Sequence, residues 1–333
     1  MSKDNYKILK YGLILIGSII LVTPGFGQQT PVYSQYMMNG FLFNPALAGN
    51  DGTNSINLTA REQWLGLPES PSTQSISFQT RLLKRSYISK STMVKRSIPK
   101  PSRSSPVGLG AHLYTDRNGM FRRTGIQLTY AYHIDLDKSQ LSFGISAVGY
   151  QMSISNEGFF DTFDPNDPLL MEYDRNVFIP DANFGAYYRT DRYYAGFSVT
   201  NLFQSALKIG ASKENNYKLL RYYYITGGYE FQVGSNLILM PSILMKSPEN
   251  LHTFQADISA RLMYMDSFWG GLSYRTTDAM VVFAGLRVDE FYIGYAFDYS
   301  LSSIRKHTIG SHELMVAWVF GTNARRYRWL SRY

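Results

Sequence analysis

Apolar and polar residues alternate strictly along several segments of this chain. Between Arg123 and Asp135, one parity carries Ile126, Leu128, Tyr130, Tyr132 and Ile134, and the other carries Gln127, Thr129, His133 and Asp135. Because successive side chains of a strand point to opposite faces, such a segment has one apolar face and one polar face. Segments of about ten residues with this alternation, separated by turn residues, are typical of transmembrane β-barrels. Backbone groups in lipid must all be paired, so the predicted sheet closes on itself.

The N-terminal sequence predicts that the protein is exported from the cytoplasm. Lys3, Lys7 and Lys10 precede a short apolar run, Gly12 to Val22, and small residues follow at the positions expected of a cleavage site. Residues 1–27 are therefore predicted to be a secretory signal peptide. The chain has 0 Cys, which excludes disulfides, thiolate metal sites and cysteine catalysis.

The aromatic content favours a membrane barrel, and the turn signals predict its number of strands. The chain has 26 Tyr, 20 Phe and 4 Trp, as expected of aromatic girdles at two membrane interfaces, whereas a secreted β-sandwich is the less favoured alternative. Alternation and turn residues predict about fourteen antiparallel strands within residues 54–321, followed by a basic periplasmic tail at residues 322–333. The predicted strands are roughly 54–64, 72–83, 106–116, 122–135, 140–152, 179–190, 193–201, 220–232, 237–246, 251–264, 268–276, 279–288, 290–299 and 311–320. An even count places both ends of the barrel chain in the periplasm.

Residues 28–53 precede the first predicted strand and lack its alternation. This segment is rich in large apolar residues, which favour burial over contact with water. We predict an N-terminal plug in the barrel lumen that includes a turn at Asn44-Pro45, and the alternative is a periplasmic segment clasping the rim. The predicted plug residues are Tyr33, Tyr36, Phe41, Phe43, Asn44 and Pro45.

Two connections carry charge of opposite sign. The connection from Lys84 to Ser105 has basic residues, prolines and no acid, and by parity it is periplasmic. It is predicted to be either a solvated charge run or a docking loop for an acidic periplasmic partner, with Lys84, Arg85, Lys95, Arg96, Lys100 and Arg103 as the docking residues. Nucleic acid is not an expected partner outside the cytoplasm, despite the net charge of +8. The acidic connection from Ser153 to Phe178 leaves calcium binding open, although its spacing does not match an EF-hand.

Three charged residues fall on the inward parity of neighbouring predicted strands. Arg275, Asp298 and Glu313 should therefore lie close together in the lumen. They are predicted to form either a hydrogen-bonded charge ladder or a site for a substrate or a partner peptide. Other inward positions, such as Val281, Phe283 and Met315, are apolar, so part of the lumen is expected to be packed.

Signatures of enzymes are not found in the sequence. It contains no G-x-S-x-G, H-E-x-x-H or P-loop motif, and its five His are dispersed. We therefore expect a protein that is not an enzyme and has no cofactor and no metal site.

Several blocks of the sequence resemble the PorP/SprF family of Bacteroidetes outer-membrane proteins. They are SQYM from Ser34, NPALAG from Asn44, REQWLG from Arg61, WGGLSYRTTDA from Trp269, IGYAFDYSLSS from Ile293 and GSHEL from Gly310. The resemblance runs in order over nearly the whole mature chain. Glu69-Ser70 stand where the family usually has Gly-Ala, and the basic loop is longer than usual.

The resemblance implies an outer-membrane barrel of the type IX secretion and gliding machinery. It implies a role in the export or surface attachment of a large adhesin with a type B C-terminal domain. The implied partners are this adhesin, periplasmic subunits of the machinery and outer-membrane lipid. The alternative function is a diffusion channel for small or hydrophobic solutes.

Overall fold

The structure is a computed structural model and describes residues 33–83, 104–119, 121–154, 177–204, 206–208, 216–218, 220–249, 254–276 and 278–321. The strands are β1 (Asn54–Glu62), β2 (Ser72–Leu83), β3 (Ser104–Asn118), β4 (Phe121–Asp135), β5 (Ser139–Ile154), β6 (Val177–Thr190), β7 (Tyr193–Thr200), β8 (Ala206–Lys208), β9 (Asn216–Lys218), β10 (Tyr222–Tyr229), β11 (Phe231–Gln232), β12 (Leu237–Pro248), β13 (Gln255–Tyr264), β14 (Phe268–Arg275), β15 (Ala279–Val288), β16 (Phe291–Ser300) and β17 (Ser311–Phe320).

Fourteen of these strands form one closed antiparallel β-barrel. Sequence neighbours pair in order, and the first strand closes the ring by pairing with the last, from Asn54 opposite Phe320 to Glu62 opposite His312. β10 pairs with both β7 and β12, so the ring is continuous there too. Closure leaves no free sheet edge among these strands, as a barrel in lipid requires. The predicted antiparallel β-barrel of about fourteen strands is confirmed.

The two faces of the wall follow the alternation in the sequence. On β4, Ile126, Leu128 and Tyr130 are exposed on the outer face, whereas Gln127 and Thr129 are buried on the inner face. The inner face also contains apolar residues, including the buried Val281 and Phe283 of β15. The outer surface is therefore suited to lipid, and part of the lumen is packed.

The two ends of the barrel differ in their connections. At one end, called the short-turn end, tight turns join β4 to β5, β6 to β7, β13 to β14 and β15 to β16. At the other end, called the loop end, residues 301–310 join β16 to β17 and include the short 3-10 helix Ser303–Lys306. Two connections at the loop end are also tight, those after Asn118 and after Arg275, so the described ends differ in the longer connections of the loop end, residues 63–71 and 301–310.

The structure departs from the predicted strands in one region. The strand predicted over residues 220–232 is interrupted at Glu230, where β10 ends and the two-residue β11 begins. The connection before it contains the small hairpin of β8 and β9, which forms a separate two-stranded sheet. Among the described residues, no helix has the length and apolar character needed to cross a membrane.

Candidate functional site: the lumen and its N-terminal segment

The segment from Tyr33 to Asn50, called the lumen segment, contacts inward-facing residues on opposite sides of the barrel. It contains two short 3-10 helices, Gly40–Leu42 and Pro45–Leu47. All six predicted plug residues are buried: Tyr33, Tyr36, Phe41, Phe43, Asn44 and Pro45. These contacts support the predicted plug, and its effect on passage through the barrel stays a prediction.

Five buried charged side chains form an ion network near the loop end of the lumen. They are Arg61 of β1, Asp257 of β13, Arg275 of β14, Asp298 of β16 and Glu313 of β17. Each lies close to the loop end of its strand and on the inward parity. Three carboxylates and two guanidinium groups leave the network one negative charge in excess when all are ionised.

Asp298 joins the two arginines of the ion network. Its Oδ2 atom lies 2.7 Å from Arg61 Nη2 and 3.0 Å from Arg275 Nη1. Each arginine also pairs with a second carboxylate: Arg275 Nε lies 3.1 Å from Asp257 Oδ2, and Arg61 Nη1 lies 3.4 Å from Glu313 Oε2. Buried charges are tolerated only when paired and hydrogen-bonded, and this arrangement meets both conditions.

The turn that follows β14 adds a further carboxylate at the edge of the network. Asp278 Oδ2 lies 3.7 Å from Arg275 Nη1 and is about one third exposed. Desolvation raises the pKa of Asp278 above its ordinary value, and the positive charge of Arg275 acts in the opposite direction. Asp278 thus extends the network toward the loop end.

The ion network holds the start of the lumen segment. The Ser34 hydroxyl donates to Asp298 at 2.7 Å and accepts from Arg61 Nη1 at 2.6 Å. The backbone N–H groups of Ser34 and Gln35 donate to the two oxygens of Glu313, at 2.6 and 2.9 Å. Hydrogen bonds to a charged acceptor are stronger than neutral ones, so residues 34 and 35 are firmly attached to the wall.

The second half of the lumen segment is attached to the opposite wall. Asn44 caps the 3-10 helix Pro45–Leu47 by accepting from Ala46 N at 3.0 Å, and its amide donates to the carbonyl of Ala186 at 3.0 Å. The Ser198 hydroxyl donates to the carbonyl of Phe43 at 2.7 Å. The predicted Asn44-Pro45 turn is therefore present and bonded to strands β6 and β7.

Glycines on the inner wall leave room for this half of the segment. A Cβ atom at Gly144 would overlap the backbone of Pro45 and Ala46, and one at Gly185 would overlap the Asn44 side chain. A Cβ atom at Gly108 would likewise overlap the carbonyl of Ala48, which His133 Nε2 contacts at 2.9 Å. The wall is thus shaped by its sequence to receive the segment.

Aromatic packing fills the lumen between these two attachments. Tyr33, Tyr36 and Phe43 pack with Tyr222 and Tyr224 of β10 in one buried cluster. The Tyr33 and Phe43 rings meet edge to face with their centroids 6.0 Å apart. Such pairs contribute about 0.5–1.5 kcal/mol of stability beyond the contribution of their buried area.

A cavity of about 250 Å³ remains at the short-turn end of the lumen, below the segment. Methionines and tyrosines form much of its wall, and Arg189, Arg261 and Arg287 reach it from the inner face of the barrel. Asp51, Glu230 and Glu290 also line it. This cavity was not predicted from the sequence.

The predicted lumen residues are brought together as expected. Arg275, Asp298 and Glu313 belong to one network, but Arg61 and Asp257 were missed, although both lie on the inward parity of their strands. Ser34 was also missed, since a segment without alternation gives no sign of its orientation. The docking loop residues Lys84, Arg85, Lys95, Arg96, Lys100 and Arg103 lie outside the described residues, as does most of the acidic connection.

One departure from the family pattern has a visible structural consequence. Glu69 has a φ of 54°, a left-handed conformation that glycine adopts most easily. Its side chain forms an ion pair with Arg117, and both groups are partly exposed.

In the part of the chain that the structure describes, no group of three potential metal-ligating side chains is found.

A family model described as type IX secretion system membrane protein PorP/SprF matches residues 25–318. This chain belongs to the PorP/SprF family. As a PorP/SprF protein with a closed antiparallel barrel, it is an outer-membrane protein of the type IX secretion system. The rule that short turns of this barrel class face the periplasm predicts that the short-turn end is the periplasmic end.

Comparison with solved structures finds porins. The chain is similar to the KdgM porin and the NanC porin, each with 9% identity, a TM-score of 0.36, and coverage of 80% of this chain and 99% of the other. A triple mutant of a porin from Rhodopseudomonas blastica has 8% identity and a TM-score of 0.32, with the same coverage. Comparison with curated proteins gives no match.

Proposed function

We propose that this PorP/SprF protein is an accessory and anchoring barrel that supports export or surface attachment of a large adhesin with a type B C-terminal domain. The observation that carries the proposal is the attachment of the lumen segment to opposite walls, by the ion network on one side and by Asn44 on the other. A lumen occupied in this way suits a scaffold better than an open pore. Membership of a type IX secretion family supports the same function.

The charges of the lumen have a structural role in this proposal. Arg275, Asp298 and Glu313 bind each other, Arg61 and the lumen segment. They therefore fix the segment and the loop end rather than contact the adhesin directly. The adhesin then binds at the loop end, since the outer wall is lipid-facing. No enzymatic step is part of the proposal.

The decisive experiment compares surface display of the adhesin in three strains: the parent, a strain lacking this protein, and the complemented strain. The deletion should remove one adhesin from the surface while other cargo of the secretion system is still exported. Immunolabelling of intact cells measures the adhesin, and secretion of an unrelated cargo is the control. Unchanged display of every adhesin in the deletion strain would refute the proposal.

The periplasmic contact is proposed to involve the basic loop. Replacement of Lys84, Arg85, Lys95, Arg96, Lys100 and Arg103 by glutamine should abolish co-isolation of periplasmic machinery subunits with the tagged barrel. Arg305→Gln with Lys306→Gln is the matched control, because these cations lie at the opposite end. Equal recovery of the subunits from both variants would exclude the loop as the docking site.

A diffusion channel for small or hydrophobic solutes is the second candidate, favoured by the cavity at the short-turn end. The two candidates differ in conductance. If the lumen segment is a plug, the intact barrel should conduct poorly in planar bilayers, and deletion of residues 29–48 should raise its conductance. High conductance of the intact barrel would favour the channel.

A further inference from the structure

Two arginines lie side by side on the outer face of the barrel at the loop end. Arg117 of β3 and Arg122 of β4 are direct cross-strand partners, and both occupy the outward parity of their strands. Arg122 is exposed, and the Arg117 side chain is 41% exposed. Like charges placed directly opposite each other on one face of a sheet are destabilising, so this pair is suited to an anion that contacts both side chains.

The carboxylates near the arginine pair neutralise only one of its two charges. Glu69 forms an ion pair with Arg117, whereas the Arg122 side chain has no hydrogen bond or ion pair within the described part of the chain. The next outward carboxylate along the register is Glu62 of β1, and Ser72 of β2 lies between it and Arg117. Two strand spacings, about 10 Å, therefore separate Glu62 from the pair. Two arginines and Glu69 leave one positive charge in excess.

Two hydroxyl groups extend the arginine pair toward the middle of the barrel wall. Thr115 and Thr124 are the next outward cross-strand pair, and their Oγ1 atoms lie 3.5 Å apart. The four side chains thus present guanidinium and hydroxyl donors on one patch of two adjacent strands. A phosphate group offers several acceptor oxygens and matches the planar donor geometry of arginine, so it fits this patch.

The arginine pair lies at the edge of the lipid-facing band. On the same parity, Leu113, Ile126 and Leu128 are exposed apolar residues, and Tyr132 follows toward the short-turn end. Arg122 precedes Tyr132 by 10 residues, which is about 34 Å along the strand and about 26 Å along the barrel axis at a strand tilt of about 40°. The apolar band of such barrels is about 25 Å tall and has aromatic residues at its edges. The arginines are therefore at the level of lipid head groups.

We propose that Arg117, Arg122, Thr115 and Thr124 bind the phosphate head group of a lipid in the outer leaflet. The loop end is the end predicted to face the cell exterior, which places this patch at the outer leaflet. The acyl chains of the same lipid would lie along the exposed apolar residues below the patch, such as Leu113, and a free phosphate ion would gain no such contact. The site is independent of the proposed function, because it requires neither the adhesin nor the secretion machinery.

Two lipids with the same acyl chains test the proposal: monophosphorylated lipid A and the same lipid without its phosphate. The purified full barrel is titrated with each lipid in detergent micelles, and native mass spectrometry counts the bound molecules. The phosphorylated lipid should bind at least about tenfold more tightly, as a charge-assisted hydrogen bond allows. Equal affinity for the two lipids would overturn the proposal.

Inorganic phosphate distinguishes a lipid site from a site for the free ion. At a concentration equal to that of the phosphorylated lipid, it should not displace the lipid, because it lacks apolar chains. Displacement under these conditions would show a site for free phosphate and would overturn the assignment to a lipid.

A variant of the exposed arginine locates the site. Arg122→Gln should weaken binding of the phosphorylated lipid about tenfold and leave binding of the dephosphorylated lipid unchanged. Arg192→Gln should change neither and is the matched control, because Arg192 is an exposed cation in a turn at the short-turn end. Parent-like binding of the phosphorylated lipid by the Arg122 variant would contradict the proposal.

A second variant tests the site in the opposite direction. Glu69→Gln removes the carboxylate that competes for Arg117, so it should tighten binding of the phosphorylated lipid about two- to fivefold, the range expected for release of a partly exposed ion pair. Heat-modifiable migration verifies that each variant is folded. Unchanged or weaker binding by the Glu69 variant would contradict the participation of Arg117.

Discussion

Arg275 is surrounded by acceptors on every side of its guanidinium group. Nε faces Asp257, Nη1 faces Asp298, and Nη2 lies 3.5 Å from the Ser34 hydroxyl. The planar guanidinium holds its donors in fixed directions, so one side chain links two strands and the lumen segment. A buried pair of this kind contributes little net stability when intact, but removal of one partner leaves the other charges uncompensated.

The substitution Arg275→Met should therefore lower the free energy of unfolding by about 3–5 kcal/mol. Methionine keeps much of the side-chain length but leaves Asp257 and Asp298 without their shared cation. Denaturant unfolding of the barrel in lipid vesicles measures the change. Arg117→Met is the matched control, because its ion pair with Glu69 is partly exposed and should contribute at most about 1 kcal/mol. Equal losses in the two variants would contradict the structural role of the network.

Glu69→Gly should leave stability unchanged or raise it. Glycine relieves the left-handed backbone at φ 54°, worth about 1 kcal/mol, and loses only the partly exposed ion pair with Arg117. Thermal unfolding of the purified barrel measures the effect, with Glu69→Ala as the comparison, since alanine loses the pair and keeps the strain. A glycine variant less stable than the alanine variant would refute this account.

Side-chain parity predicts which charged residues point inward, but it does not predict their binding partners. Arg61 and Asp257 could have been found by the alternation that identified Arg275 and Asp298. The attachment of Ser34 to the ion network could not have been found in this way, because it depends on the path of a segment that has no strand periodicity. The contact of Arg261 with the thioether sulfur of Met38 also depends on that path, since Met38 belongs to the same segment.

At the scale of elements, long strands with alternating faces were predictable, and short strands were not. Strand β4 has an apolar outer face along its whole length, which fixes its type and orientation. Strands β8 and β9 are only three residues long, too short for a period of two to stand out. The break at Glu230 was missed for the same reason, since only two residues of strand follow it.

The glycines of the inner wall give a test of how the lumen segment fits. Gly144→Ala should displace the segment around Pro45, because the new methyl group would overlap its backbone. The outer face of β5 is untouched, so the barrel should still fold and conductance in planar bilayers should rise. Gly270→Ala is the control, since its Cβ would meet only Phe283 O at 3.6 Å, an ordinary contact. Low, equal conductance of both variants would show that the segment tolerates the methyl group or does not block the lumen.

At the scale of the whole molecule, the segment that precedes the first strand lies inside the barrel that the later residues form. Ser34 lies near the loop end, beside Arg61 and Glu313, whereas β1 begins at Asn54 at the short-turn end. The lumen segment therefore connects the two ends from the inside. Four of the five charged residues of the ion network hydrogen-bond to Ser34 or Gln35, and the fifth, Asp257, binds Arg275, so the loop end and the lumen segment are packed together.

The orientation of this unit in the membrane is the last prediction. The chain has 0 Cys, so a single introduced cysteine is an unambiguous reporter. Ser303→Cys places it in an exposed 3-10 helix at the loop end, and Ser235→Cys places it in an exposed turn at the short-turn end. A membrane-impermeant maleimide should label the first variant in intact cells and the second only after permeabilisation, because short turns of this barrel class face the periplasm. Labelling in the reverse pattern would invert the barrel and contradict the assignment of the short turns to the periplasm.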